Sequence, residues 1–196
     1  FADCNAIDPD TARGIGEMIE RSGCRFVDAA ILGGPPAAGR ARRPLFYAAG
    51  RHAEEFAKLT AFGLDVRALP APIGAASALK MSLAAVSKGM TGVLALALQL
   101  AEQEQVCEFF VEQLRQSQPG LAGWGASQFP QLAAKGARWA EEMTILEQLL
   151  ASSPGGSQCF RGLADMFAAA PQVPGDDQAR RWAGALLREP GHGAAA

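Results

Sequence analysis

The sequence has few of the residues from which hydrolytic and metal centres are usually built. Only two of its 196 residues are histidines, His52 and His192, and neither belongs to a recognisable motif. The four cysteines are scattered and form no CxxC pair: Cys4, Cys24, Cys107 and Cys159. This pattern argues against a Ser–His–Asp triad, a zinc site and a disulfide framework, so we expect a protein of the reducing cytoplasm.

The sequence also lacks an excess of either charge and a long apolar run. Eighteen basic and 20 acidic residues give a formal net charge of -2, and no Lys/Arg cluster indicates a nucleic-acid or membrane partner. The longest apolar run without charge, residues 89–101, is shorter than the roughly 20 residues that cross a bilayer. With 49% hydrophobic and 19% charged residues, the composition is that of a globular protein with one medium or two small domains.

The predicted secondary structure changes near residue 71. Before it, β-type segments alternate with helical ones, which predicts half of a doubly wound α/β sheet; the strands are predicted at residues 1–7, 25–31, 45–48 and 65–69. Asp8-Pro9 predicts the start of a helix that ends near Arg21, and residues 52–60 predict another. The short spacing between the second and third strands allows part of the sheet to be antiparallel.

After residue 71 only helical spacing remains. One long helix is predicted over residues 72–101, followed by helices at residues 106–116, 129–151, 159–169 and 176–187 with Gly/Pro separators between them. We therefore predict an α/β domain over residues 1–71, an all-helical domain over 72–190 and a disordered tail over 191–196.

Three loops follow predicted strands, at residues 4–6, 32–35 and 71–74. If the sheet is parallel there, they line one cleft. Asn5 could then hydrogen-bond a ligand or cap the turn into Asp8. The Gly33 and Gly34 amides could hold an anion or carboxylate, or form a plain tight turn. Asp28 lies within a strand and is interpreted as structural.

The long helix carries two lysines in its first half, Lys80 and Lys88. A shared face is predicted for residues at helical spacing: Ser77, Lys80, Ala84, Ser87 and Lys88. Lys80 is either a surface residue with a buried stem or a desolvated lysine that donates and accepts a proton. Spacing alone leaves both interpretations open.

Four segments in this order resemble the β-hydroxyacid dehydrogenase superfamily, which includes 3-hydroxyisobutyrate and 6-phosphogluconate dehydrogenases: FADCNAIDPDTA, FVDAAILGGPPAAG, the glycine at position 50 and PIGAASALKMS. GARWAEEM, at residues 136–143, is similar to a less characterised branch of NAD(P)-dependent oxidoreductases. The resemblance implies a Rossmann-type sheet, a long interdomain helix, and a helical domain through which two copies form a homodimer. It also implies an NAD or NADP cofactor and a small-molecule substrate. Asn5 would lie near the nicotinamide, Gly33 and Gly34 would bind substrate, and Lys80 would be the catalytic lysine.

The chain departs from the family pattern at three positions. Leu32 stands where the family usually has serine, Ala84 where it has asparagine, and Ser87 where 6-phosphogluconate dehydrogenase has a glutamate acid. These differences argue against a sugar-phosphate substrate and against decarboxylation. They also favour an alternative function, a non-catalytic helical dimerisation or ligand-binding module.

The GxGxxG loop, which would hold the cofactor's pyrophosphate at a helix N-terminus, is absent from the 196 residues. The sequence begins with Phe1, inside a strand-like run. We therefore expect a fragment of a longer dehydrogenase that by itself binds a dinucleotide poorly and is inactive.

Overall fold

A computed structural model describes residues 1–33, 44–169 and 177–187 of the chain. Internal contacts divide the chain into two units, Phe1–Ala84 and Ala85–Ala196. The predicted fold class is confirmed, since a small sheet with helices precedes a long helix and a set of further helices. The domain limits at residues 71 and 190 remain predictions, and the tail at 191–196 lies outside the described residues.

The first unit contains a mixed four-stranded sheet. Its strands lie in the order of the chain: β1 (Ala2–Asp3), β2 (Val27–Leu32), β3 (Leu45–Ala49) and β4 (Asp65–Ala68). β1 is parallel to β2, β3 is antiparallel to β2, and β4 is parallel to β3. Asp28 is paired with Asp3 on one side and Ala49 on the other. The antiparallel pairing expected from the short spacing of the second and third strands is therefore present.

Alternate residues of the sheet face two different sets of helices, as the strand period of two requires. Helix α2 (Ala53–Ala57), which continues as a short 3₁₀ helix (Lys58–Phe62), covers the face of a small apolar core: Val27, Ala29, Ala48, Ala53 and Val66. On the other face Ala30 and Ala49 pack against Ala76, at the start of the long helix. The side of the sheet to which a β2 residue points therefore determines which helix it contacts.

Helix α1 (Pro9–Arg21) begins as the sequence predicts. The Asp8 carboxylate accepts hydrogen bonds from the backbone N–H groups of Asp10 and Thr11, both at 2.9 Å, and from the Thr11 hydroxyl. Burial opposes ionisation of this carboxyl, but the hydrogen bonds from Thr11 and Asp10 outweigh it and hold the pKa of Asp8 below its usual value. Asp8 is therefore a charged cap at neutral pH, and the α1 N-terminus is satisfied within the chain.

The remaining described helices follow in sequence: α3 (Ala75–Gln103), α4 (Cys107–Ser117), α5 (Pro119–Gln128), α6 (Leu132–Leu149), α7 (Gly156–Ala169) and α8 (Asp177–Leu187). Within the second unit, Leu98, Phe129 and Trp182 belong to one buried core. Glu102 of α3 accepts hydrogen bonds from Trp182 Nε1 at 2.8 Å and Gln178 Nε2 at 3.0 Å. These bonds fix α8 against α3.

One helix was not predicted. The sequence interprets residues 118–120 as a separator and begins the next helix at residue 129, yet α5 occupies Pro119–Gln128. Pro119 starts this helix at its first position, where the missing N–H costs nothing. Its glycines obscure the helical pattern, but Gly125 is buried where a side chain would meet Leu94 and Leu186. The glycine therefore allows close packing of α5 rather than marking a loop.

Helix α3 is long and apolar enough to cross a membrane by the criteria of length and composition alone. In its most apolar window, 44% of the residues are buried inside the protein. The charge-free run at residues 89–101 is part of this longer helix, which also contains Lys80 and Lys88. The absence of a membrane partner remains a prediction.

Candidate active site

The three loops that the sequence places around one cleft do not all leave the same edge of the sheet. Because β3 runs antiparallel to β2, the carboxyl end of β4 lies at the edge where β2 begins. The loop at residues 71–74 therefore meets the start of β2, whereas residues 32 and 33 lie at the opposite edge. The single cleft was predicted only for a parallel sheet, and the antiparallel pairing of β2 with β3 does not meet that condition.

The loop at residues 71–74 leads α3 directly onto a buried carboxylate. Asp28 is 1% exposed. Its Oδ2 accepts hydrogen bonds from the backbone N–H groups of Gly74 at 2.8 Å, Ala76 at 3.0 Å and Ser77 at 3.3 Å. Its Oδ1 accepts the Ser77 hydroxyl at 2.7 Å. One side chain of the central sheet thus satisfies most of the free N–H groups at the start of α3.

Gly74 makes this approach possible. Its φ is +96°, and a Cβ atom there would lie 3.0 Å from the Pro9 carbonyl oxygen and against the Arg13 guanidinium. A residue with a side chain would have to leave that backbone conformation, which L-residues rarely adopt. The sharp turn that directs the Gly74 N–H at Asp28 therefore requires glycine.

Lys80 lies one helical turn beyond Ser77 and is half-buried. Residues three apart share a helix face, so Lys80 follows Ser77 on the side that Asp28 contacts. The positive charge of Lys80 acts on the thiol of Cys4, the residue after β1. There burial raises the pKa of the Cys4 thiol, Asp3 and Asp28 raise it further, and Lys80 lowers it in part. Lys80, two buried carboxylates and the turn after β1 are therefore brought together.

Asn5 lies in that same turn and is exposed. Asp3 is buried, and its Oδ1 accepts hydrogen bonds from both the Asn5 backbone N–H and the Asn5 side-chain Nδ2, each at 2.8 Å. Because the amide nitrogen is occupied by Asp3, the side chain is held in one orientation. The α1 N-terminus is capped by the Asp8 carboxylate and not by Asn5, and the ligand-contacting interpretation of Asn5 remains a prediction.

Gly33 lies directly after β2, is exposed and has a φ of +98°. Five residues separate it from Asp28, which is about 16 Å along an extended strand. Gly34, the second predicted substrate-binding glycine, lies outside the described residues. The assignment of both glycines to substrate remains a prediction.

The chemistry available around Lys80 is proton transfer. The raised pKa of Cys4 keeps its thiol protonated at neutral pH, which makes it a poor nucleophile. In the part of the chain that the structure describes, no group of three or more His, Cys, Asp or Glu side chains could hold a metal ion. A catalytic role for Lys80 remains a prediction.

A dinucleotide is not accommodated by these residues alone. The 196 residues contain no GxGxxG, and both long helices of the first unit that could hold a phosphate at their N-terminus, α1 and α3, are capped by Asp8 and Asp28. The assignment of Asn5 to the nicotinamide end of such a cofactor remains a prediction.

The sequence nominated Lys80 and Asn5, but it did not indicate that Asp3 and Asp28 are buried hydrogen-bond acceptors beside them. The available signal was the isolated charge in VDAAIL, since a buried strand holds an aspartate only when that aspartate is paired. A serine three residues after Gly74 supplied the matching donor. Asp3 lies at the end of the two-residue strand β1, so its position in the sequence did not indicate that it is buried.

Comparison with known proteins agrees with this architecture. Residues 101–170 match a family described as Domain of unknown function (DUF1932). A conserved hypothetical protein from Sinorhizobium meliloti 1021 has 26% identity and a TM-score of 0.73 over 95% of this chain and 64% of its own. The conserved protein MTH1747, reported to be structurally similar to 3-hydroxyacid dehydrogenases, has 28% identity and a TM-score of 0.68 over 93% of this chain and 67% of its own. The predicted resemblance to the β-hydroxyacid (3-hydroxyacid) dehydrogenase superfamily is therefore confirmed.

The fold is also similar to that of an enzyme of known type. Mycobacterium tuberculosis 3-hydroxyisobutyrate dehydrogenase, solved with L-serine, has 17% identity and a TM-score of 0.63 over 95% of this chain and 68% of its own. The chain therefore spans about two thirds of the length of these structures. No curated protein sequence matches it. The superfamily places the chain in an oxidoreductase lineage whose members generally use NAD(P).

Proposed function

We propose that this chain belongs to an NAD(P)-dependent oxidoreductase of the cytoplasm that transfers a hydride between the nicotinamide and a small hydroxy acid or related carbonyl or imine. Lys80 is the proposed catalytic residue, which moves the proton of the substrate hydroxyl. The observation that carries the proposal is the position of Lys80, half-buried beside the Cys4–Asn5 turn and two buried carboxylates. A lysine stem packed on the surface would not meet such a cluster.

In this proposal each group has a separate task. The bound cofactor supplies the hydride chemistry. The Asn5 amide, oriented by Asp3, binds the nicotinamide end, and the Lys80 amine holds or receives the proton that accompanies the hydride. The pyrophosphate would be held by residues outside these 196, because Asp8 and Asp28 already occupy the helix N-termini.

The substrate class follows from the same chemistry. The L-serine seen with the M. tuberculosis enzyme is a small 3-hydroxy acid, and we propose this class for the present protein, with Gly33 and Gly34 contributing to the binding loop. Ala84 is 3% exposed and Leu32 is half-buried, so neither position offers a polar group to a large polar substrate.

The test compares the 196-residue chain with the product of the whole open reading frame that contains it. We expect the whole product to bind NADPH or NADH at micromolar concentration and to reduce NAD(P)+ with L-serine or another small 3-hydroxy acid, followed by the absorbance of the reduced nicotinamide. The 196-residue chain should do neither. Micromolar binding by the short chain would contradict the assignment of the phosphates to other residues. Cofactor binding without hydride transfer would favour the non-catalytic module.

A homodimer formed through the helical unit is proposed as the assembly. Four large apolar residues of α3 are 42–60% exposed along one helix: Val86, Met90, Val93 and Leu100. Three of them border an apolar groove of about 550 Å³ whose other walls include Phe110, Leu114, Phe160 and Leu163. So large an exposed apolar surface on one helix supports a partner of the same kind.

Light scattering of the 196-residue chain tests the dimer. Two copies of 20.5 kDa should give a mass of about 41 kDa (2 × 20.5). Val93→Glu places a charge on the proposed interface and should give the monomer mass with an unchanged circular dichroism spectrum. Met18→Glu, on the exposed side of α1 at 69% exposure, is the control and should leave the dimer intact. A wild-type chain that is monomeric at high micromolar concentration would contradict the proposal.

A further inference from the structure

Asp3 holds Asn5 more firmly than the turn between them requires. The Asp3 Oδ1 accepts the backbone N–H of Asn5 at 2.8 Å, and this bond to the second residue along the chain is enough to close the turn. The same Oδ1 also accepts the side-chain Nδ2 of Asn5 at 2.8 Å. The second bond adds nothing to the path of the backbone, so its effect is on the orientation of the amide group.

The acceptor in this pair is itself fixed. Asp3 lies in β1, in register with Asp28 of β2, and is 7% exposed. Hydrogen bonds to an ionised acceptor are stronger than those to a neutral one, and burial of the acceptor strengthens them further. Asn5 is exposed. A buried carboxylate therefore anchors a side chain whose far edge a ligand can reach.

The shared acceptor determines which edge of the Asn5 amide faces outward. Because Asp3 Oδ1 bonds both the backbone nitrogen and Nδ2, it lies on the backbone side of the amide and takes the hydrogen that points towards Cβ. A carboxylate can only accept, so the amide cannot turn round. The outward edge then carries Oδ1, an acceptor, and the second N–H, a donor. Within the described residues, the hydrogen bonds of the Asn5 side chain go to Asp3 alone.

A ligand group that complements this edge has one donor and one acceptor side by side. A primary carboxamide has this arrangement, so two amides pair through two hydrogen bonds. A carboxylate has only acceptors and a ketone lacks the donor, so each leaves an atom of the edge unsatisfied. A substrate hydroxyl offers a single oxygen and matches the edge at one atom. The chemistry of the fixed edge therefore favours a primary amide.

We propose that Asp3 is a positioning residue which makes the Asn5 amide a receptor for a primary carboxamide. The inference rests on the proposed function for the identity of that group, which is the carboxamide of the nicotinamide ring. It adds how the ring is recognised. A carboxamide that is held at both its oxygen and its nitrogen keeps the attached ring in one orientation, so one face of the nicotinamide is directed at the substrate.

The test measures dinucleotide binding by the whole gene product, without substrate or turnover. Calorimetry compares the natural NAD(P)+ with its 3-acetylpyridine analogue, in which a methyl group replaces the amide nitrogen, and with its thionicotinamide analogue, which retains that nitrogen. We expect the acetylpyridine form to bind about tenfold more weakly than the natural one, which is the effect of about one hydrogen bond. The thionicotinamide form should bind within about threefold of the natural one.

Two substitutions separate the positioning of Asn5 from the support of the turn. In Asp3→Ser the hydroxyl can still accept the Asn5 backbone N–H but does not reach the side-chain amide, so the preference should fall below about twofold. Asp3→Asn keeps an oxygen of the same reach and is the matched control, in which the tenfold preference should be retained. If Asp3→Ser weakened the binding of all three forms equally, Asp3 would support only the fold and the inference would be overturned.

If Asp3→Ser does not fold, Asn5→Ala changes an exposed side chain and should likewise bind the natural and acetylpyridine forms alike. A preference that survives in Asn5→Ala would also overturn the inference. A whole gene product that binds all three forms equally would contradict this inference and leave the proposed function intact. One that binds no dinucleotide would contradict the proposed function itself, and this inference with it.

Discussion

A Lys80→Met variant of the whole gene product is expected to oxidise its hydroxy-acid substrate about 1,000-fold more slowly than the wild type, within the range of general acid–base catalysis. Methionine retains most of the length and volume of the lysine stem, so the packing of α3 should be preserved. What is lost is the amine that exchanges a proton with the substrate hydroxyl. The dissociation constant for NADPH should stay the same, because Lys80 acts on the proton and not on the cofactor.

Two further variants separate proton transfer from charge. Lys80→Arg keeps the positive charge but cannot release its proton near neutral pH, so it should be nearly as slow as Lys80→Met. Lys58→Met changes an exposed lysine on the 3₁₀ helix after α2 and is the matched control, with an expected rate equal to wild type. A Lys80→Arg variant that retained full activity would show that the lysine supplies only charge. Full activity in Lys80→Met would remove Lys80 from the mechanism altogether.

The sequence predicts the first unit well wherever local chemistry decides the structure. Asp8-Pro9 predicts the start of α1 because the cap and the proline act within one turn, and the observed helix is Pro9–Arg21. Gly63 ends the 3₁₀ segment with a φ of +95°, as its position in the sequence suggests. The long helix was expected over residues 72–101 and is observed over Ala75–Gln103.

The errors arise where distant residues decide the structure. The helix α5 depends on the fit of Gly125 against Leu94 and Leu186, which no pattern within residues 119–128 reveals. The direction of β3 likewise depends on its pairing with β2, and that pairing moves the loop at residues 71–74 away from Gly33. The antiparallel pair itself was anticipated from the short spacing of the second and third strands, but its effect on the positions of the loops was not.

The candidate site illustrates both cases at once. Lys80 is predicted because its motif is continuous along one helix. Asp28, which caps the start of the helix that carries Lys80, contacts residues more than 45 positions away, so only the folded chain brings them together. Residue type and spacing can therefore nominate the proton carrier, but they do not identify the buried carboxylate that caps its helix.

A Lys88→Met variant of the 196-residue chain is expected to lose about 3 kcal/mol of unfolding free energy, the lower end for breaking a buried ion pair. Lys88 Nζ lies 2.8 Å from Glu142 Oε2, and the two side chains are 21% and 6% exposed. Within the described residues, that oxygen has no well-directed hydrogen bond, so its stabilisation by Lys88 is Coulombic. Removal of the amine leaves a buried carboxylate with only Arg138, whose Nε lies 3.2 Å from Oε1 but whose side chain is 66% exposed.

Urea unfolding followed by the fluorescence of the buried Trp139 and Trp182 measures this loss. Lys88→Met combined with Glu142→Met removes both charges and should recover to within about 1 kcal/mol of the wild type, because the cost lies in the unpaired carboxylate and not in the lost attraction. Arg161→Met is the control, since its pair with Glu147 joins α7 to α6 with 65% of the arginine exposed and should cost at most about 1 kcal/mol. Equal losses for Lys88→Met and Arg161→Met would mean that Glu142 is hydrated in solution. Lys88 lies on α3 and Glu142 on α6. Equal losses would therefore also mean that this ion pair does not determine how the two helices are aligned.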